Sequence, residues 1–247
     1  MEITIDINLQ GAAERAMEEH ITKLRSQGEE VSGSDIEGAA AVAMDPRNGE
    51  VLVCASYPTY DLATLSEKWD EVLAIPYNAL FNRALDAAYP PGSTYKIVTT
   101  ISAIENHVIS SGSIIVDKGA FTRYADEGLT IYCMRYNDGL GTHGPLDVMH
   151  AIEVSCNYFF YEVSNRVGIE SLVEWAALLG LTSRTNIELP GEATSFVGNQ
   201  SMLYNPDLPI ESQQTYKPQI VANSLRSLIL QIGDCLLYTS DAADDKA

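Results

Sequence analysis

A proline pair at residues 90 and 91, followed by Gly92, constrains the middle of this chain most strongly. The residue before a proline is pushed out of the helical region, so this segment is extended or turning and a helix begins at about Ser93. The helix then carries an apolar stripe at helical spacing, which predicts a buried face made of Ile97, Val98, Ile101 and Ile104. Ser93 and Lys96 stand at positions i and i+3, so they point to the same side.

The Ser93–Lys96 pair has the spacing at which a serine nucleophile meets a lysine base. The serine lies at the positive end of the helix dipole, which favours a developing alkoxide, and a lysine desolvated by apolar neighbours can act as its base. The alternative is an ordinary helix cap, because serine is common at the N-cap and roughly one Ser-x-x-Lys is expected by chance in a chain this long. The pair alone does not decide between them.

A second polar motif, Ser155-Cys156-Asn157, separates two stretches with helical character. The stretch before it has apolar positions at 148, 149, 152 and, less regularly, 154. Side chains at such a junction can project into a cleft, where a hydroxyl relays protons and an amide holds a lysine and a substrate carbonyl. A simple Ser/Asn helix cap is again the alternative.

Together the two motifs resemble those of the penicillin-interacting serine transferases. Further segments are similar, in the same order, to landmarks of class B penicillin-binding proteins: Thr4–Gln10, Met44–Val51, Tyr57–Asp61, Asn82–Ala84, His143–Gly144 and Leu189–Glu192. The resemblance covers about residues 2 to 233. It is closest in character to the elongation-type D,D-transpeptidases of rod-shaped bacteria.

The resemblance implies a peptidoglycan D,D-transpeptidase that works through an acyl-serine. Ser93 would attack the carbonyl between the two terminal D-alanines of a stem peptide, and an amine of a neighbouring stem would then take the acyl group. Lys96 would be the base, while Ser155 and Asn157 would shuttle protons and position the donor peptide. Beta-lactams would acylate the same serine. The implied partners are stem peptides, beta-lactams, a glycosyltransferase and other cell-wall elongation proteins.

Two other functions stay open at this stage. A serine beta-lactamase would use the same site but needs a way to activate deacylating water, and no Glu-x-x-x-Leu-Asn element follows the second motif. A non-catalytic penicillin-binding sensor or scaffold would be acylated, or merely bind, without turnover. An intact third family motif and cross-linking of a donor peptide would separate the transpeptidase from the sensor.

The two ends of the sequence depart from the family pattern. The third motif, Lys-Thr-Gly or Lys-Ser-Gly, occurs nowhere in the 247 residues. Residues 235–247 resemble the translation of a transposon adapter used in sequencing libraries, with a genuine acidic C-terminus as the alternative. We therefore expect a partial transpeptidase domain over 1–234, with an N-terminal helix and loop over 1–37 and a catalytic core without its last strands over 38–234. The fragment itself would then be inactive.

The amino-terminal side carries no membrane segment. No run of about 18 apolar residues occurs, and no signal-peptide pattern opens the chain. The resemblance nevertheless implies a parent protein anchored in the cytoplasmic membrane, with this domain on the extracytoplasmic side and the anchor absent from this chain.

Charge and cysteine content narrow the possible ligands. A formal net charge of −19 argues against binding nucleic acid or anionic lipid through a basic patch. No Cys-x-x-Cys or His-x-x-x-His spacing indicates a metal, so neither metal nor cofactor is expected. We interpret Cys156 as a small buried filler and His143 as structural, since no acidic partner for it is legible.

The pattern of elements predicts an α+β fold, in which the resemblance implies an antiparallel sheet with helices. Residues 9–26 predict an amphipathic helix. Two apolar runs, 39–44 and 50–56, flank a strong turn signal and predict a hairpin. Residues 112–145 look irregular, 146–180 helical and 183–218 mostly loop. At 247 residues with 46% hydrophobic content, the chain can build one large core.

Overall fold

The computed structural model describes residues 3–28, 33–89, 91–127 and 129–193. Within these ranges the chain forms two compact units, one of residues 3–88 and 186–193 and the other of residues 89–185. The predicted tail at 235–247 and the predicted boundary at residue 234 lie outside the described residues, and the predicted division at residues 37 and 38 stays a prediction.

The first unit consists of helix α1 (Ile7–Ser26), strands β1 (Ala39–Met44) and β2 (Val51–Tyr57), and the short helix α2 (Trp69–Leu73). The strands pair antiparallel, which confirms the predicted hairpin. Helix α1 begins two residues before its predicted start, because the Asp6 carboxylate accepts hydrogen bonds from the N–H groups of Asn8 and Leu9. The side-chain amide of Gln10 in α1 accepts a hydrogen bond from the backbone N–H of Cys54 and donates one to its C=O, which connects the helix to β2.

The second unit is built around helices α3 (Lys96–Glu105), α6 (Asn157–Val167) and α7 (Ile169–Leu178). Helix α3 packs against both of the others. Helix α6 is buried on nearly every side, and the rings of Phe121, Tyr158 and Tyr161 meet at tilted or edge angles around it. This core holds α3 and α6 in place, and the first residues of these helices, Lys96 and Asn157, belong to the two polar motifs.

The second unit also contains four short strands and two shorter helices, most of them within the stretch 112–145 that the sequence predicted to be irregular. They are β3 (Ile115–Asp117), β4 (Ala120–Tyr124), β5 (Leu129–Tyr132), α4 (Met134–Asn137), β6 (Gly144–Leu146) and α5 (Val148–Glu153). β3 pairs antiparallel with β6, and β4 with β5. The prediction was wrong here because runs of three to five residues show no readable alternation.

The predicted apolar face of α3 is only partly buried, and the apolar positions of α5 are mostly exposed. In α3, Ile97 is 58% exposed, whereas the buried positions besides Val98 are occupied by polar or small side chains, namely Lys96, Thr99, Ser102 and Ala103. In α5 only Val148 and Ala151 are buried, and Met149 is 70% exposed. Hydrophobicity identified Val98 correctly but not the rest of the buried side of α3, because that side must accommodate a lysine.

The overall class is nevertheless as predicted, with helices and antiparallel strands in one α+β chain. The predicted helical region 146–180 is confirmed as α5, α6 and α7. Residues 183–193 form neither helix nor strand, and the remainder of the predicted loop lies outside the described residues. None of the helices in the described ranges is long and apolar enough to cross a membrane.

Candidate active site

Ser93 lies in a single 3₁₀ turn, Gly92–Tyr95, and not in the α-helix that the sequence predicted from this residue. The α-helix begins at Lys96. Gly92 has a φ of +55°, a left-handed conformation that glycine adopts without a steric penalty, and this lets the chain enter the turn directly after Pro91. In a 3₁₀ turn, side chains three residues apart are nearly eclipsed, so Ser93 and Lys96 lie one above the other. The Lys96 ammonium donates to Ser93 Oγ at 3.1 Å.

Lys96 is 2% exposed and its Nζ lies among oxygen atoms from the second motif. It donates to Asn157 Oδ1 at 2.6 Å, to Ser155 Oγ at 2.8 Å and to the Ser155 carbonyl oxygen at 3.0 Å. Burying an amine is costly unless it is hydrogen bonded, and these oxygens meet that requirement. The same contacts hold Nζ beside Ser93 Oγ.

The second motif reaches Lys96 because the chain bends sharply between α5 and α6. Ser155 has a φ of +50°, which is uncommon for a residue other than glycine. This conformation turns both its hydroxyl and its carbonyl toward the lysine. Asn157 is the first residue of α6 and is buried, so its amide is held in place by the helix. The backbone strain therefore lies at a residue with two contacts to the site.

The Lys96 amine and the hydroxyl groups of Ser93 and Ser155 are all hydrogen bonded to one another. Besides its bond with Lys96, Ser93 Oγ accepts from Ser155 Oγ at 3.1 Å. When the Lys96 amine is neutral, a proton can leave Ser93 directly to it, and a second route connects the amine through Ser155 to a group bound next to Ser93. Ser93 and Ser155 are both only half-buried, so a substrate can reach them, whereas Lys96 and Asn157 lie behind them.

The structure brings together all four residues that the sequence singled out: Ser93, Lys96, Ser155 and Asn157. They come from the turn before α3, the start of α3, the bend before α6 and the start of α6. Their assigned catalytic roles stay predictions at this point, because the geometry fixes which proton transfers can occur and not which reaction follows.

The second motif also contributes a residue to a largely buried cluster that the sequence did not predict. His143 has an acidic partner after all, since its backbone N–H and its ring Nδ1 lie 2.8 Å and 2.9 Å from Asp117 Oδ2. Cys133 Sγ lies 3.6 Å from the same ring nitrogen. Cys156 completes the cluster from within the Ser155–Asn157 motif. Contacts between four separate segments cannot be deduced from spacing along the chain.

The protonation states in this cluster depend on one another. Burial acts to raise the pKa of Asp117, but the N–H donors of His143 and Gly119 and the His143 ring outweigh it, so the pKa is lowered. A hydrogen bond from the Cys156 thiol lowers the pKa of Cys133, and the same interaction raises the pKa of Cys156. Cys133 is therefore the thiol that ionises first.

The donor atoms of this cluster could hold a metal ion. One carboxylate oxygen, one imidazole nitrogen and two thiol sulfurs lie within 4.8 Å of one another. Such a mixed sulfur, nitrogen and oxygen set suits Zn²⁺, which prefers four tetrahedral ligands. The expectation of no metal, drawn from spacing alone, stays open to test. Cys156 is buried as expected, but it has polar partners as well as a packing role.

Comparison with known proteins identifies the family. The sequence profile described as "Transpeptidase: Penicillin binding protein transpeptidase domain" matches residues 39–227, well over half of the chain. Peptidoglycan D,D-transpeptidase MrdA of Escherichia coli strain K12 is 35% identical over 160 residues, covering 62% of this chain and 24% of that protein. The chain thus spans about a quarter of the length of the curated relatives that it matches.

Solved structures are similar over most of the chain. Penicillin-binding protein PBP2 from Helicobacter pylori is 25% identical with a TM-score of 0.69, covering 93% of this chain and 38% of its own. The same protein in complex with MreC has a TM-score of 0.63 at 25% identity and covers 87% of this chain and 37% of its own. The penicillin G acyl-enzyme of penicillin-binding protein A from M. tuberculosis, 23% identical, shares the fold with a TM-score of 0.66 and covers 94% and 47%.

The order of the landmarks, the paired polar motifs and these similarities agree. The chain belongs to the penicillin-binding protein transpeptidase family, as a class B member of the elongation type.

Proposed function

We propose that the protein containing this chain is a serine D,D-transpeptidase that cross-links peptidoglycan stem peptides. The observation that carries the proposal is the buried Lys96 amine, held 3.1 Å from Ser93 Oγ and 2.8 Å from Ser155 Oγ. A half-buried hydroxyl in contact with a fully buried amine is the arrangement of an activated serine nucleophile. Family membership makes the terminal D-alanyl-D-alanine of a stem peptide the matching substrate.

Acylation begins when Lys96, in its neutral form, takes the proton of the Ser93 hydroxyl. The oxygen electron pair then attacks the carbonyl carbon between the two D-alanines and forms a tetrahedral oxyanion. The backbone N–H of Ser93, at the start of its turn, is one donor available to that oxyanion. Collapse breaks the C–N bond, and the leaving D-alanine nitrogen receives the proton from Lys96 through the Ser155 hydroxyl.

Deacylation repeats these transfers in the opposite direction. The amine of a neighbouring stem peptide loses a proton through Ser155 to Lys96 as it attacks the acyl-serine carbonyl. The new C–N bond is the cross-link, and Ser93 regains its proton. Asn157 keeps the amine in place throughout, because its 2.6 Å contact is the shortest that Lys96 makes in the site. Beta-lactams would enter at the first step, since their strained amide replaces the scissile bond.

The partners and location of the whole protein follow by the same reasoning. The Helicobacter pylori relative was solved in complex with MreC, and another similar chain belongs to a peptidoglycan synthase complex. These complexes support cell-wall elongation proteins, including a glycosyltransferase, as partners. Because cross-linking takes place outside the cell, the domain would work on the extracytoplasmic side of a membrane-anchored protein.

The decisive experiment is acylation by a fluorescent penicillin, with the product of the complete gene that encodes these residues. Wild-type protein should become covalently labelled, and a labelled peptide containing Ser93 should be recovered after proteolysis. Ser93→Ala should abolish labelling. Ser102→Ala changes a buried serine of α3 outside the hydrogen-bonded site and serves as the matched control, which should label normally. Labelling that persists in Ser93→Ala would overturn the proposal.

A further inference from the structure

The surroundings of the Lys96 nitrogen include an aromatic ring as well as oxygens. Four oxygen contacts lie within 3.1 Å of Nζ, although an ammonium has only three N–H donors and a neutral amine two. The centre of the Phe160 ring lies 5.5 Å from Nζ. Phe160 is completely buried, so this side of the amine faces a dry aromatic surface.

The placement of Phe160 follows from helix geometry. Asn157 and Phe160 are three residues apart in α6 and therefore project from the same side of the helix. The ring of Phe159 packs against Phe160 at a centroid distance of 5.3 Å in an edge-on arrangement. The helix and the neighbouring ring thus fix Phe160, and the helix that supplies the shortest hydrogen bond to Lys96 also supplies the ring.

We propose that Phe160 is a positioning residue for Lys96, whose ring stabilises the positive charge that forms when the amine takes the Ser93 proton. This inference rests on the proposed function. In that step the O–H bond of Ser93 breaks, the lone pair of Nζ forms a new N–H bond, and the oxygen pair goes to the substrate carbonyl. A cation within about 6 Å of a ring centre is attracted by the ring's quadrupole, most strongly where water is excluded.

The ring therefore has an effect opposite to that of a purely apolar wall. An aliphatic side chain of the same size would only desolvate the ammonium and weaken the base, whereas the ring face compensates part of that desolvation. Phe160 thus makes Lys96 a stronger base and stabilises the transition state in which the charge develops.

The test replaces Phe160 with mono-, di- and trifluorinated phenylalanine by amber suppression in the complete gene product. Fluorination weakens the ring quadrupole while it nearly preserves shape. The rate of acylation by penicillin is measured against pH under single-turnover conditions. We expect the acid side of the profile to move to lower pH, by roughly 0.5 to 1 unit in the trifluoro variant. The rate on the plateau should fall severalfold, in steps that follow the number of fluorines.

Other titratable groups remain unchanged across this series. The contribution of these groups to the profile is the same in each variant. In the turn, at the N-cap of α6, in α6 and in α7 they are Tyr95, Cys156, Tyr158, Tyr161, Glu162, Arg166, Glu170 and Glu174. The same fluorination at Phe121, which is also buried but packs against Tyr158 and Tyr161, is the matched control and should leave the profile in place. Phe160→Leu should lower the plateau and move the acid side in the same direction as trifluorination.

The outcomes separate this inference from the proposed function. A wild-type protein that is never acylated would contradict the proposed function itself. An acylated wild type with an acid side that does not move on fluorination at Phe160, or that moves equally on fluorination at Phe121, would overturn the role of the ring. A plateau that falls while the acid side stays fixed would mean that Phe160 only fills space.

Discussion

Lys96 is a side chain that protein interiors rarely hold, and its burial shapes the site around it. Its amine is satisfied by one hydroxyl before α3, one hydroxyl and one carbonyl of Ser155, and the Asn157 amide. Removing one partner of a buried charged group leaves the rest imperfectly paired. The amide of Asn157 has the shortest contact, and it comes from a rigid helix.

Replacing Asn157 with alanine should therefore slow acylation by penicillin by roughly 10² to 10³ fold, within the range of proton-transfer residues. The lysine would lose its best-placed acceptor and spend less time aligned with Ser93. Stopped-flow acylation measures the rate. Asn165→Ala, in the same helix but in contact with Tyr124, is the control and should change the rate little. Equal loss in both variants would mean that α6 itself is disturbed.

The cluster of Asp117, Cys133, His143 and Cys156 should bind Co²⁺ if its donor set can take a tetrahedral metal. Cobalt bound to thiolates in a tetrahedral site gives intense visible absorption bands, so titration of metal-free protein is a direct measurement. Cys133→Ser and His143→Ala should each abolish or strongly weaken these bands. Cys54→Ser, which lies in the other unit, should not.

Lack of cobalt bands in the wild type would instead support a metal-free network. Asp117 would then hold His143 through its two hydrogen bonds, and His143 would have the structural role that the sequence predicted, although for a different reason.

The sequence predicted the four residues of the hydrogen-bonded site but not the side chains that lie next to them. Ser93, Lys96, Ser155 and Asn157 stand in two short local patterns, which can be recognised without a structure. Phe160 and Asp117 make their contacts through packing, and nothing in their local sequence distinguishes them from ordinary core or loop residues.

At the level of elements, α3 shows why hydrophobicity misled the prediction. A helix usually buries its most apolar stripe, but α3 turns Lys96, Thr99 and Ser102 inward. The lysine must face Asn157, and the small side chains on the same side allow α6 and α7 to approach. The short strands β3 to β6 were missed for a different reason, because β3 finds its partner β6 only after an intervening hairpin and helix.

Helix α7 should stabilise the second unit mainly through Leu172. The side chain of Leu172 is completely buried. Its backbone carbonyl accepts a hydrogen bond from the hydroxyl of Tyr95, which lies in the turn that carries Ser93. Leu172→Ala should lower the free energy of unfolding by about 2 to 5 kcal/mol. Urea unfolding, followed by the fluorescence of Trp175 in a Trp69→Phe background, measures the change. The control Leu178→Ala lies in the same helix but is 66% exposed.

The control should change the free energy by no more than about 0.5 kcal/mol. Similar losses in the two variants would contradict the packing described for α7, because one side chain is buried and the other is in solvent.

For the molecule as a whole, a match to a quarter of the relatives' length is enough to identify the family. The choice between transpeptidase, beta-lactamase and sensor depends on what happens to the acyl-enzyme. Among residues 3–28, 33–89, 91–127 and 129–193, the side chains in hydrogen-bond contact with Ser93 Oγ are Lys96 and Ser155. A beta-lactamase needs a further base to activate water at the acyl-serine. The described contacts of Ser93 favour a long-lived acyl-enzyme.

The complete gene product should therefore react with about one equivalent of penicillin and release it slowly, instead of hydrolysing many equivalents. In a mixture of a donor peptide ending in D-alanyl-D-alanine and an amine acceptor, it should form the cross-linked amide. Mass spectrometry follows both the acyl-enzyme and the amide, and Ser93→Ala is the blank. Rapid release of hydrolysed penicillin over many turnovers would favour a beta-lactamase. A stable acyl-enzyme that never passes its acyl group to the amine would favour a sensor, because acylation requires only the residues around Ser93 whereas transfer also requires a bound acceptor.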